Sequence, residues 1–105
     1  GWAPAVDLYE TADRFVLSIE LPGLKRDQIK IELQHEILTV RGERAVQHED
    51  GAQFHRVERG HGPFARSFSL PHPVSAEQVQ ADFRDGVLTV VIPKLAPPSR
   101  RIPVE

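Results

Sequence analysis

"VQADFRDGVLTVVIP" (Val79–Pro93) is the stretch whose reading decides the fold. Val79, Ala81 and Phe83 alternate with Gln80, Asp82 and Arg84, and a two-residue period puts apolar and polar side chains on opposite faces of a strand. Asp85-Gly86 follows, a pair suited to a two-residue hairpin turn because glycine takes positive φ without a Cβ clash. "VLTVVI" beyond it is rich in β-branched residues and reads as the returning strand.

The same period recurs along the chain. "RFVLSIELPG" sets Phe15, Leu17, Ile19 and Leu21 against Val16, Ser18 and Glu20 and ends at the turn pair Pro22-Gly23. In "QIKIELQ" Ile29, Ile31 and Leu33 oppose Lys30, Glu32 and Gln34, and "ILTVRGE" returns after His35-Glu36, predicting a second hairpin. "FHRVERG" and "FARSFSLP" are two further alternating runs, separated by a turn over Gly60–Pro63. Helical spacing is scarce; "SAEQVQ" offers one short turn for which Ser75 is the expected cap.

Nine prolines stand at segment ends, where they cannot break a ladder. Short strands at such spacing predict an all-β, Ig-like antiparallel β-sandwich of about seven to eight strands. Two stretches do not fit a compact sandwich. One is the polar insert "RAVQHEDGAQ" (Arg44–Gln53), longer than a hairpin requires. The other is the tail after Lys94, which ends "RRIPVE" (Arg100–Glu105) and presents Ile102 and Val104 on a segment too short to bury them by itself.

Composition narrows the function classes. The 105 residues suffice for one domain; 40% are apolar and 27% charged, as in an ordinary globular chain. A net charge of −2 supplies no field for nucleic acid or an anionic membrane, and no apolar run is long enough to span a bilayer. The opening "GWAPAVDLYE" lacks the pattern of a signal peptide, and a start without Met suggests a chain trimmed of an N-terminal segment. With no cysteine there is no disulfide, thiolate nucleophile or cysteine zinc site, which suits a reducing compartment.

No catalytic or metal constellation is present in the sequence. His35, His48, His55, His61 and His72 lack the spacing of a metal motif. There is no GxSxG and no phosphate-cradling glycine loop. Asp7, Glu10 and Asp13 are not paired like catalytic acids. Trp2, Phe54, Phe64 and Phe68 read as packing rather than as a base-stacking platform, because no basic groove accompanies them.

Five segments in register, "LPG" (Leu21–Gly23), "ILTVRGER" (Ile37–Arg44), "ERGHGPFARSFSLP" (Glu58–Pro71), "ADFRDGVLTVVIPK" (Ala81–Lys94) and "IPV" (Ile102–Val104), resemble the α-crystallin domain of small heat-shock proteins of bacterial and plant type. The resemblance implies an ATP-independent holdase that binds partly unfolded client proteins, with no cofactor and no metal. It implies a homodimer that builds larger homo-oligomers in the cytoplasm. Residues 1–94 would form the domain, with an insert at 43–55 that crosses to the partner as a swapped strand, and residues 95–105 a flexible extension. Arg44, Ala45, Val46, Gln47, His48, Phe54 and Arg66 would form the dimer interface, Arg66 pairing with Glu58 or Asp85. Ile102, Pro103 and Val104 would dock on a neighbouring dimer, in a groove of Ile29, Ile31, Leu33, Val79, Ala81 and Phe83.

Two rivals of other classes share the sandwich. A monomeric CS-type co-chaperone domain would need neither the long insert nor the tail. A carbohydrate-binding or adhesion module would show clustered exposed aromatics or acidic calcium ligands, which one Trp and one Tyr supply poorly.

Overall fold

The structure, a computed structural model, describes residues 2–96 and 101–105. Gly1 and residues 97–100 of the expected linker lie outside the described residues. Seven strands run in chain order: β1 (Val6–Glu10), β2 (Arg14–Glu20), β3 (Ile29–Gln34), β4 (Ile37–Arg44), β5 (Gly62–Ser69), β6 (Gln80–Arg84) and β7 (Val87–Pro93). They form two antiparallel sheets, ordered β1-β2-β7-β6 and β3-β4-β5. The β-sandwich expected from the alternation is the observed fold.

Each hairpin turn has the backbone its residues call for. Asp85 and Gly86 sit at φ 54° and 77°, and His35 and Glu36 at 52° and 58°. Two consecutive positive φ values twist a two-residue turn to match the flanking strands. The register that follows puts Phe83 opposite Leu88 and Leu33 opposite Leu38. Gly86 also lies against Pro22, whose Cα would be 3.1 Å from an added Cβ, so the Asp85-Gly86 hairpin packs on the "LPG" turn.

The inward faces of both sheets meet in one core. Phe15, Leu17 and Ile19 of β2 and Leu88, Val90 and Ile92 of β7 face Leu38 and Val40 of β4 and Phe64 of β5. Several are wholly excluded from water, each such side chain contributing about 1.5–3 kcal/mol. No buried side-chain nitrogen or oxygen lacks a partner among the described residues, so the core carries no unpaired polar group.

Four expectations need correction. "FHRVERG" forms no strand, because no neighbouring strand of its own chain lies beside it; the seventh strand is instead β1, whose Asp7, Leu8, Tyr9 and Glu10 are all exposed. Gly62 and Pro63 are not turn residues but open β5, paired with Arg44 and Glu43. Val16 does face away from the core, yet it is buried, between its cross-strand neighbours Tyr9 and Val91. Ser75 occupies the cap position of a 3-10 turn (Ala76–Gln78) without a side-chain cap bond; its carbonyl accepts from Gln78 N–H instead.

Gly42 in β4 is required by close approach rather than by φ. A Cβ there would stand 2.5 Å from the Gln28 carbonyl oxygen and 2.9 Å from the Phe64 ring. Gly42→Ala is expected to cost about 1–3 kcal/mol through overpacking, read as a lower urea midpoint with an unchanged slope.

Candidate functional site: an edge groove and a projecting insert

Both sheets are open, so β1, β6, β3 and β5 each have one side with no strand neighbour among the described residues. Where β3 and β6 come together, Ile29, Ile31, Ala81 and Phe83 line a cleft of about 190 Å³. These four are expected groove residues, and the fold brings them to one place. Leu33 and Val79, the other two, do not line that cleft; they are half-buried and pack on the core. Leu33 lies toward the far end of β3, opposite Leu38, and Val79 precedes β6 at the end of the 3-10 turn.

Three lining residues escaped sequence reasoning: Arg26, Asp82 and Leu88. Leu88 was within reach of it, since a turn at Asp85-Gly86 sets Leu88 opposite Phe83. Arg26 had no such signal, because it arrives from a 3-10 turn (Arg26–Gln28) to within 3.5 Å of the Phe83 carbonyl. Ile102 and Val104, the expected occupants, are 74% and 97% exposed and so unburied by their own chain.

With Phe54–Gly60 unpaired, the connection from β4 to β5 runs over residues 45–61, longer than the insert of 43–55 expected, and it has no strand. Its two arms face each other across a cleft of about 100 Å³ lined by Arg44, Ala45, Val46, Gln47 and Phe54, together with Val57. His48 meets Phe54 edge-on at 5.9 Å between ring centres. Six of the seven expected interface residues thus belong to one projecting structure. Val46, Phe54 and Val57 are 38%, 51% and 53% exposed, an apolar set on a polar loop. Val57 was not singled out from the sequence, though an exposed valine between charged neighbours was the available clue.

Arg66 stands apart. Its register partner is the buried Val40, so its side chain leaves β5 on the core-facing side rather than outward. There Nη1 donates to the Pro4 carbonyl at 2.8 Å, and the guanidinium lies over Phe68 at 5.4 Å. The expected pairing with Glu58 or Asp85 is not made within the chain; Glu58 pairs with Arg56 at 3.2 Å on the insert. Pro4 is buried and leads into β1, so Arg66 ties β5 to the start of the opposite sheet.

β1 is an edge with exposed apolar residues, Leu8 at 39% and Tyr9 at 52%. Its turn into β2 is tied locally. The Thr11 hydroxyl donates to the Asp13 carboxylate at 2.8 Å and Arg14 lies 3.1 Å from it, which hold the Asp13 carboxyl below its usual range. Because the folded value is depressed, the stabilisation is complete above the ordinary carboxylate range and is lost as pH falls through the folded value. At the same turn Lys94 pairs with Glu10 at 2.6 Å, lies over Phe15 and donates its backbone N–H to the Asp13 carbonyl at 2.8 Å.

Comparison with known proteins agrees with this geometry. Residues 7–105 match the Hsp20/alpha crystallin family. The chain belongs to that family. It is 40% identical over 102 residues to a 17.8 kDa class I heat shock protein of Arabidopsis thaliana, covering 95% of this chain and 65% of the relative. It is 46% identical over 94 residues to a 22.0 kDa heat shock protein of the same plant, covering 88% and 48%. It therefore spans about half to two-thirds of the length of these curated relatives. Among solved structures, a small heat-shock protein from Xylella fastidiosa superposes with a TM-score of 0.83 at 38% identity, over 99% of this chain and 97% of that one. Heat shock protein 16.0 from Schizosaccharomyces pombe gives 0.82 at 28% identity, over the whole of both. Among the described residues no helix is long and apolar enough to cross a membrane.

Arg66→Ala removes a charged donor from the Pro4 carbonyl. It is expected to cost about 1.5–3 kcal/mol in urea unfolding, and Arg66→Lys, which keeps one donor, about half as much.

Proposed function

We propose that this chain is the working domain of an ATP-independent holdase, which binds partly unfolded proteins and keeps them from aggregating. It acts in the cytoplasm, without catalysis, cofactor or metal, and without nucleic acid or membrane as a partner. Its unit is a dimer, formed when the insert of each subunit crosses to the other. The Ile102-Pro103-Val104 tail then joins dimers into larger assemblies by entering the groove of a neighbour.

One observation carries this reading: the chain holds an open apolar cleft between two sheet edges and an apolar tail that its own fold leaves uncovered. Pro103 favours an extended backbone and lacks a donor, so Ile102 and Val104 project to the same side, as alternate residues of an added strand do. Leu95 N–H is bonded to the Pro73 carbonyl, which marks where the sandwich ends. The seven residues Leu95–Arg101 span at most roughly 25 Å, enough to reach a second subunit. Burial of both side chains yields about 3–6 kcal/mol, against about 4–15 kcal/mol lost on association. A single tail contact is therefore weak, and many in one assembly hold through effective concentration while each exchanges. A vacated groove is an apolar, strand-edged surface of the kind an unfolded chain occupies.

The swap is supported by charge and by apolar surface. The arm Phe54–His61 carries Arg56 and Arg59 against a single acid, Glu58, while β1 carries Asp7 and Glu10. β1 is an unpaired edge with Leu8 and Tyr9 exposed, and the arm exposes Phe54 and Val57. The alternation in "FHRVERG" that finds no partner in its own chain suits a strand completed on another. Arg66, bonded to Pro4 ahead of β1, braces the edge that receives it.

Light scattering across a concentration series tests the assembly. The full chain is expected to exceed dimer mass and a chain cut after Arg101 to stop at dimers; a cut chain that still forms the larger species would refute the tail contact. The full chain should also suppress aggregation of reduced insulin without ATP. Monomers throughout would instead favour a co-chaperone domain.

A further inference from the structure

Beyond the last pair of the β4–β5 ladder, the root of the insert is held by side chains. Arg44 ends β4 and Gly62, its register partner, begins β5. Between them, among the described residues, one backbone hydrogen bond lies within the insert, Ala52 N–H to the Glu49 carbonyl. The Arg44 guanidinium donates through Nε at 2.8 Å, and also through Nη2, to the Gly60 carbonyl, and through Nη1 to the Pro22 carbonyl at 2.9 Å. Its Cζ lies over the Trp2 ring, 4.0 Å from the ring centre.

Trp2 reaches the other end of the insert as well. Its indole N–H donates to the Gly62 carbonyl at 3.0 Å, and its ring meets Phe64 edge-on at 5.4 Å. Gly60 packs so closely beneath the indole that an added Cβ would lie 2.9 Å from it. One residue near the start of the chain therefore touches both roots of a loop that begins more than forty positions later.

We propose that Trp2 and Arg44 form a clasp that sets the direction in which the insert leaves the sandwich, making Trp2 a positioning residue for exchange of the insert between subunits. The inference rests on the swapped-dimer reading above. An insert that must be ordered at the moment of binding loses affinity to conformational entropy, and a fixed root removes part of that loss beforehand. A planar guanidinium that lies over the ring while it donates to two carbonyls is the feature lysine cannot reproduce. With the clasp open, residues 44 and 60–62 gain freedom and the dimer dissociates faster.

Trp2 is the sole tryptophan, so its fluorescence reports on the clasp directly. Sedimentation across a dilution series would give the dimer Kd of the parent chain, Trp2→Ala, Trp2→Phe, Arg44→Lys and Gly60→Ala, with urea unfolding of each alongside. Trp2→Ala is expected to raise Kd at least tenfold while unfolding stays cooperative, and Trp2→Phe and Arg44→Lys to fall between it and the parent. Gly60→Ala should displace the indole, raising acrylamide quenching and red-shifting the emission, and should weaken the dimer in step. The clasp is overturned if Trp2→Ala dimerises within twofold of the parent, or if Gly60→Ala exposes the indole with no change in Kd. Should Trp2→Ala fail to fold, Gly60→Ala decides by the same two readings. A parent chain that is monomeric at every concentration overturns the swapped dimer itself, and the clasp with it; a dimeric parent with an indifferent Trp2→Ala overturns the clasp alone.

Discussion

Two open sheets leave four strand edges, and an edge displays unpaired N–H and C=O groups that another chain can use. A closed barrel has no such problem; this sandwich of short strands does. Its sides are treated differently. Along β5, the segment before β1 crosses from sheet to sheet, tied by Trp2 to Gly62 and by Arg66 to Pro4. Between β3 and β6 the Arg26 side chain reaches across to the Phe83 carbonyl, and the half-buried faces of Ile29, Ile31 and Phe83 open into a cleft. β1 is left with Leu8 and Tyr9 in water. One side is sealed, and apolar surface remains at the other edges.

Two arginines lie at the margin of the core rather than apart from it, one at the end of β4 and one midway along the edge strand β5. Arg44 and Arg66 stand in the same inward-facing rows as Val40 and Phe64, the rows that farther along the strands carry only apolar side chains. At the rim, where water begins, an arginine keeps its stem on apolar surface and gives its head to backbone carbonyls. These contacts determine where the insert emerges and where β1 starts. Packing in the core thereby fixes the geometry of surfaces proposed for assembly.

Sequence reading succeeded where a local rule had a local partner. The two hairpins at His35-Glu36 and Asp85-Gly86 were readable because turn chemistry and two-residue alternation agree there, and their register carries Ile29, Ile31, Ala81 and Phe83 into place. It failed where pairing was decided at a distance. "FHRVERG" alternates as well as any strand but has no neighbour in its own chain, whereas Val6–Glu10, rich in acids, becomes a strand because β2 lies beside it. Leu33 and Val79 share the apolar parity of the groove residues yet lie beyond its ends, a matter of sheet twist and stacking that periodicity does not encode. The parity of Arg66 with Phe64 and Phe68 was a clue to its inward direction that the sequence reading did not use, and its acceptor, Pro4, is sixty-two residues away.

The central claim is that the groove of one chain receives the tail of another. The chain has no cysteine, so single cysteines can be placed without interference. Val104→Cys in one population and Ala81→Cys in a second should, on mixing and mild oxidation, give a disulfide-linked heterodimer, absent when the first carries Ile102→Ser as well. Formation of that cross-link at near-stoichiometric yield is the predicted result. Failure of the two to link, while Val104→Cys joins indiscriminately to a cysteine placed at Ser67 on the outer face of β5, would contradict it.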